Sequence, residues 1–196
     1  KKLIVISTDN VAHPEHNIYS LTKSLMEKTL LNPNNKSNFD ITCLRLGHLC
    51  WSTGSVFNLW EQMTKKNNIV YTTGPNVRRY FISVDEVCSL IYFVLKNTNK
   101  LKGLVVTQYM KSALIEDILK IWSKCFNIKW KKVAKRNKDH IDEYLISPNE
   151  LKNAYELNIN GRKLVAIDPF NKKFNTFRKP VTSKNSIKHT KKEIEK

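Results

Sequence analysis

The chain has 196 residues, 41% hydrophobic and 26% charged, a balance that excludes a disordered polyampholyte and suits one folded domain with a real core. Its longest apolar run, Val87 to Leu95, is broken by Cys88 and Ser89 and is too short to cross a bilayer, and the opening run Leu3 to Ile6 is too short for a signal peptide. The formal charge of +17 rests on 28 Lys against 6 Arg, beside 21 Asn, which reads as AT-rich codon usage and not as a surface of guanidinium forks built for phosphate.

Nucleic acid and membrane are therefore not expected partners. Cys43, Cys50, Cys88 and Cys125 are widely spaced without a C-x-x-C pair, so no zinc site or disulfide framework is expected, and a cytoplasmic location is the default reading.

In chain order, residues 1–6 form a β-branched and aliphatic run expected of a parallel strand buried on both faces. It ends in Ser7-Thr8-Asp9, polar residues where the carboxyl end of a strand opens into a crevice. Asn17 caps an expected helix over 18–31. Residues 32–38, "NPNNKSN", form a turn-rich connector to a second strand over 39–46. Strand, helix, strand predicts a right-handed parallel crossover and a doubly wound sheet.

Beyond it the pattern predicts helices over 55–66, 84–96 and 114–126, and short strands over 69–72, 103–107 and 128–133. Trp51, Trp60, Trp122 and Trp130 read as core or interface packing. Residues 171–196 hold nine Lys or Arg against two Glu with little apolar periodicity, and read as a basic flexible tail.

Only five glycines occur, and no G-x-G-x-x-G or G-x-x-G-x-x-G is present. A dinucleotide fold needs those glycines for the backbone to approach a pyrophosphate.

Residues 7–23 read S-T-D-N-V-A-H-P-E-H-N-I-Y-S-L-T-K, and residues 45–56 read R-L-G-H-L-C-W-S-T-G-S-V. Residues 78–87 read R-R-Y-F-I-S-V-D-E-V, and residues 136–143 read R-N-K-D-H-I-D-E. In this order the four blocks resemble the carboxyl-terminal part of an extended short-chain dehydrogenase/reductase. They resemble most the UDP-N-acetylglucosamine 4,6-dehydratases of the polysaccharide biosynthesis group.

The resemblance implies an α/β fold: a partial NAD-binding Rossmann-like sheet lacking its N-terminal strands, with a small C-terminal substrate-binding lobe. The sheet portion would occupy about 1–50 and 80–110, the lobe about 51–79 and 111–170, and the tail 171–196. NAD or NADP would be the cofactor and a UDP-sugar the substrate. A homo-oligomer, or a partner chain supplying the N-terminal half, would complete the protein.

Tyr19 and Lys23 lie four apart, on one helix face, and an ammonium beside a phenol favours the phenolate. By resemblance Tyr19 takes the proton of a sugar 4-hydroxyl, Lys23 also holds the nicotinamide ribose, and Leu46 and Gly47 adjoin the cofactor. Thr8 would polarise the 4-oxygen and Asp9 would supply the acid for loss of the 6-hydroxyl. The position of the family's basic Lys is Asn10, and a carboxamide has no basic lone pair near neutral pH. His13 or His16 would have to replace it, while H-x-x-H without a third ligand is not expected to bind metal.

Substrate-side positions implied by the resemblance are His48, Gly54, Ser55, Val56, Arg79, Arg136 and Asp139. His48 stands where the family has Asn, and Ser20 where it has Gly. The arginines suit a diphosphate, with plain surface charge as the alternative. Three outcomes stay open: a 4,6-dehydratase, an epimerase or reductase of the same fold, and a non-catalytic subunit.

Overall fold

The computed structural model describes residues 1–134, 140–171 and 177–195, with all their side chains except that of His16. The first elements are β1 (Lys2–Thr8), α1 (Ile18–Leu30), β2 (Asp40–Leu46), β3 (His48–Leu49), α2 (Val56–Asn67) and β4 (Ile69–Thr72). There follow β5 (Arg78–Ile82), α3 (Val84–Lys96), α4 (Thr98–Leu101), β6 (Val105–Gln108), β7 (Ser112–Leu114), α5 (Ile115–Phe126) and β8 (Lys129–Lys132). The last are β9 (Tyr144–Ile146), β10 (Ala154–Ile159), β11 (Arg162–Ile167), β12 (Val181–Thr182) and α6 (Lys191–Ile194).

Two compact units form. The first comprises Lys1–Gly47, Val84–Tyr109 and Tyr144–Thr182. It is α/β, with a five-stranded sheet in the order β1-β2-β6-β11-β10. β1, β2 and β6 run parallel, and β11 and β10 add antiparallel. Residues 41–46 of β2 are all buried, as a central parallel strand requires. β1 departs from its expected burial on both faces: it is the edge strand, and Ile6 is 42% exposed.

Asn17 starts α1 as expected, its Oδ1 accepting from the Ser20 amide at 2.8 Å. The helix buries Ser20, Ser24 and Glu27 and exposes Ile18, Leu21 and Leu25, the reverse of the usual amphipathic arrangement.

The second unit comprises His48–Ser83, Met110–Glu143 and Ser183–Lys196. It holds the sheets β3-β5-β7 and β4-β8. α5 turns Ile115, Ile118, Leu119 and Trp122 inward at helical spacing, onto Trp60, Val70 and Phe81. Trp60 and Trp122 are core as expected, whereas Trp51 is 56% exposed and stacks on Phe57 with ring centroids 5.5 Å apart.

The described residues 144–171 and 177–182 belong to the sheet unit, whereas the lobe was expected to run to 170. The described part of 171–196 also departs from the expected flexible tail. Val181 and Thr182 pair with β9, Ser112 bridges to Lys188, and α6 has a capping box between Thr190 and Glu193. The periodicity signal was weak there because this stretch is anchored by backbone and hydroxyl hydrogen bonds more than by an apolar stripe.

Candidate functional site

The parallel register sets Thr8 beside Leu46, so the carboxyl ends of β1 and β2, with Gly47 next in sequence, adjoin. The chain leaves β1 through a single 3-10 turn over Asp9–Ala12 that Thr8 caps. The Thr8 hydroxyl donates to Asp9 Oδ1 at 3.0 Å and accepts from the Asn10 amide at 3.3 Å. The Asn10 side-chain amide donates to Thr8 Oγ1 at 3.2 Å and to Asp9 Oδ1 at 3.4 Å. Asp9 is 2% exposed. The sequence-predicted trio is thus brought together, with the carboxamide of Asn10 acting as a donor to both of its neighbours.

Tyr19 and Lys23 occupy the first two turns of α1. Lys23 Nζ donates to the Ile6 carbonyl oxygen at 2.7 Å and lies 6.0 Å from the centre of the Tyr19 ring, and Tyr19 is 56% exposed. The pair therefore stands at the carboxyl end of β1, with the lysine tied to the strand.

Of the two candidate replacement bases, His13 has its Nδ1 3.2 Å from Glu15 Oε1 and its ring edge-on to Tyr144 at 4.5 Å. The side chain of His16 lies outside the described residues.

Arg45, at the head of the second sequence block but expected to play no role of its own, anchors this end of β2. It is 1% exposed; Nη2 lies 2.9 Å from Glu27 Oε2 of α1 and 2.8 Å from Glu150 Oε1, and Nη1 donates to Glu150 Oε2 at 3.1 Å. Burial alone would lower the pKa of the guanidinium, but the two carboxylates outweigh it and push it up. Burial likewise opposes ionisation of Glu150, yet Arg45 and then Ser147 hold its carboxyl below the usual range.

In the second unit, His48, Leu49, residues 52–57 and Phe81 line a cavity of about 190 Å³. Gly54 has φ of +77°, a left-handed conformation that favours glycine. It leads into Ser55, whose Oγ accepts from the Asn58 amide at 3.3 Å as the cap of α2. Sequence-predicted His48, Gly54, Ser55 and Val56 therefore share one wall.

Arg79 does not line this cavity. Its Nε lies 3.1 Å from Glu143 Oε1, and its Nη1 donates to the carbonyls of Arg78 at 2.9 Å and His140 at 3.1 Å. This engagement with the chain itself contrasts with the expected diphosphate contact. Arg136 and Asp139 lie outside the described residues. Among the described residues no group of three or more His, Cys, Asp or Glu could hold a metal ion, and no helix is long and apolar enough to cross a membrane.

The family model for polysaccharide biosynthesis protein matches residues 1–162. A UDP-glucose 4-epimerase of Rickettsia bellii is 30% identical over 176 residues, 83% of this chain and 50% of that protein. Pen from Bacillus thuringiensis superposes on 100% of this chain and 60% of its own, with a TM-score of 0.84 and 21% identity. DesIV, a dTDP-glucose 4,6-dehydratase of Streptomyces venezuelae with NAD and TYD bound, covers 71% of this chain and 49% of its own, at a TM-score of 0.60 and 14% identity. The two structures show a shared Rossmann-like fold. The chain spans about half the length of the curated relatives it matches.

Proposed function

We propose that this chain, which belongs to the polysaccharide biosynthesis protein family, carries the catalytic and sugar-side part of an NAD(P)-dependent enzyme that epimerises a UDP-hexosamine at C4. Tyr19 and Lys23 at the carboxyl end of β1, beside an Asn10 that can only donate and accept hydrogen bonds, carry this reading.

The residues present fit the nicotinamide end of the cofactor. An exposed phenol and an ammonium tied to the strand lie near strand ends where Leu46 and Gly47 adjoin Thr8. No glycine-rich motif for the pyrophosphate occurs among the 196 residues, so a further segment or a partner chain would supply that half. The chemistry that NAD or NADP would supply when bound is reversible acceptance of the C4 hydride.

Tyr19, with the Lys23 ammonium alongside, takes the proton of the 4-hydroxyl as the hydride leaves C4 and returns it to the same oxygen when the hydride is delivered to the opposite face of the 4-ketone. Thr8, at the end of β1, would hydrogen-bond the 4-oxygen after releasing Asp9. The sheet unit would serve the cofactor and the second unit, with its cavity walled by His48 and Gly54 to Val56, the sugar. Self-association is supported by the exposed Ile18, Leu21 and Leu25 of α1.

A second reading, 4,6-dehydration of UDP-N-acetylglucosamine, is supported by Thr8 and Asp9 standing side by side with Asp9 buried as an acid would be. It requires a base for the C5 proton, and the Asn10 carboxamide cannot be that base. The two readings separate in deuterated water, using the full-length protein with NAD and UDP-N-acetylglucosamine. A 4-epimer without deuterium at C5 supports epimerisation, whereas a 4-keto-6-deoxy product labelled at C5 supports dehydration. Absence of any C4 chemistry sinks both.

A further inference from the structure

Glu143, the last residue of the fourth sequence block, is a buried carboxylate, 8% exposed, for which no role has yet been named. Its Oε1 lies 2.9 Å from His48 Nε2 and 3.1 Å from Arg79 Nε, and its Oε2 accepts from the Tyr80 amide at 3.3 Å. Its own backbone is fixed on both sides: the amide donates to Ser183 Oγ at 3.0 Å and the carbonyl accepts from the Ser183 amide at 2.8 Å. Ser183 in turn accepts at its carbonyl from Ser112 Oγ at 2.7 Å and from Lys188 Nζ at 2.6 Å. The carboxylate is therefore held rigidly before it meets His48.

Among the described residues lining the cavity, His48 is the only one with an ionisable side chain. The charged groups facing it among the described residues include Glu143 and, through the same oxygen, Arg79 of β5. The neighbouring pair Arg78 and Asp142 is 3.7 Å apart and largely offsets itself. From β5 the uncharged ring of Phe81 also packs against it, with centroids 6.0 Å apart.

We propose that Glu143 is a positioning residue that holds His48 as the proton-carrying group of the cavity wall, so that the cavity's hold on a UDP-hexosamine depends on the protonation of His48. The inference rests on the reading of this cavity as the sugar side, and it goes beyond that reading by assigning pH control to one pair. The physical basis is simple. A carboxylate within hydrogen-bonding distance favours the imidazolium. A cationic wall favours an anionic diphosphate ligand, and the preference fades as the proton is lost. An Asn at this position, as in the resembling family, would give a wall without such a response.

The test combines two measurements on wild type, E143Q, H48N and the double variant. Nuclear magnetic resonance titration of the His48 imidazole in this chain reads the pairing without reference to any activity. In E143Q the midpoint is expected to fall by about one pH unit; an unchanged midpoint overturns the proposal. Calorimetric binding of UDP-N-acetylglucosamine to the full-length protein reads the consequence.

Wild-type affinity is expected to weaken as pH rises through the His48 midpoint, and the curve of E143Q to shift to lower pH. H48N is expected to lose the dependence, with the double variant matching H48N. If E143Q weakens binding equally in the H48N background, Glu143 acts through Arg79 or the fold, and the proposal is overturned. If the midpoint shifts but wild type binds no UDP-sugar, the assignment of the cavity to UDP-hexosamine fails while the control of His48 by Glu143 stands.

Discussion

Lys23 Nζ is bonded to the carbonyl oxygen of Ile6 at 2.7 Å, joining the second turn of α1 to the strand that ends in Thr8. The bond sets the ammonium in place beside Tyr19 before any ligand arrives. Its removal should therefore affect chemistry and not folding, because Tyr19 is exposed and Lys23 only partly buried. In the full-length protein Y19F is expected to lower kcat by about 10²- to 10⁴-fold, the usual worth of a positioned proton acceptor. K23M is expected to lower it as well, with circular dichroism of both variants unchanged. Wild-type kcat in Y19F would contradict the assignment.

Arg45 couples β2, α1 and the turn at Ser147–Glu150 through two carboxylates, at 1% exposure. R45A strands Glu27 and Glu150 in a low-dielectric interior and is expected to cost about 3–5 kcal/mol in urea unfolding of this chain. The pH dependence follows from Glu150, whose carboxyl burial would push up but Arg45, and then Ser147, hold below the usual carboxylate range. A depressed carboxyl stabilises the fold above its unfolded pKa, and that contribution is lost as pH falls through the folded one. Wild-type stability is thus expected to decline below about pH 4.5, with a shallower acid limb in R45A.

Much of this arrangement could be read in the sequence. The apolar run ending at Ser7, the Asn17 cap and the helical stretches over 55–66, 84–96 and 114–126 all follow local rules, and the structure places those elements within a residue or two. What escaped was in one case local and otherwise long-range. The hairpin of β10 and β11 turns on Asn160 and Gly161, at φ of +51° and +82°, a dipeptide that is itself a strong hairpin signal.

The roles of Glu143 and Arg45 are set by partners up to 105 residues away, which no periodicity reveals. The edge position of β1 was equally illegible, because an aliphatic run looks the same at the centre of a sheet and at its border.

Cys43 shows how burial separates residues of one type. It is 0% exposed on β2, and its thiol is pushed up to about 12, first by burial and then by the charge of Glu27, with Arg45 and Lys23 opposing. Cys88 and Cys125 are exposed. Since only the thiolate reacts, iodoacetamide at mildly alkaline pH is expected to alkylate Cys88 and Cys125 in the native chain and to reach Cys43 only on unfolding. Peptide mass spectrometry with and without urea checks this. Native-state labelling of Cys43 at the rate of Cys88 would show that the centre of the sheet opens readily.

Ser112 tests whether the basic C-terminal stretch is a built part of the second unit. Its side chain is fully buried, donates to the Ser183 carbonyl at 2.7 Å, and accepts from Ser186 Oγ at 2.9 Å and Lys188 Nζ at 3.3 Å. Burial first, and then the charge of Arg78, lowers the pKa of Lys188, with Asp142 opposing.

Replacing Ser112 by Ala removes a small hydroxyl but leaves the Ser183 carbonyl and the Ser186 hydroxyl each short of one partner. Both keep another partner, the carbonyl through Lys188 Nζ at 2.6 Å and the hydroxyl through the Ser183 carbonyl at 3.1 Å, so the loss is that of an ordinary hydrogen bond, about 0.5–1.5 kcal/mol. S112A is therefore expected to lower urea stability by that amount, and to raise amide exchange at Ser183 and His189, whose backbones are tied respectively to Glu143 and to Ser112. A freely moving tail would give no change in either measurement. The amide of Ser183 is the more telling probe, because its acceptor is the backbone of the residue that holds His48.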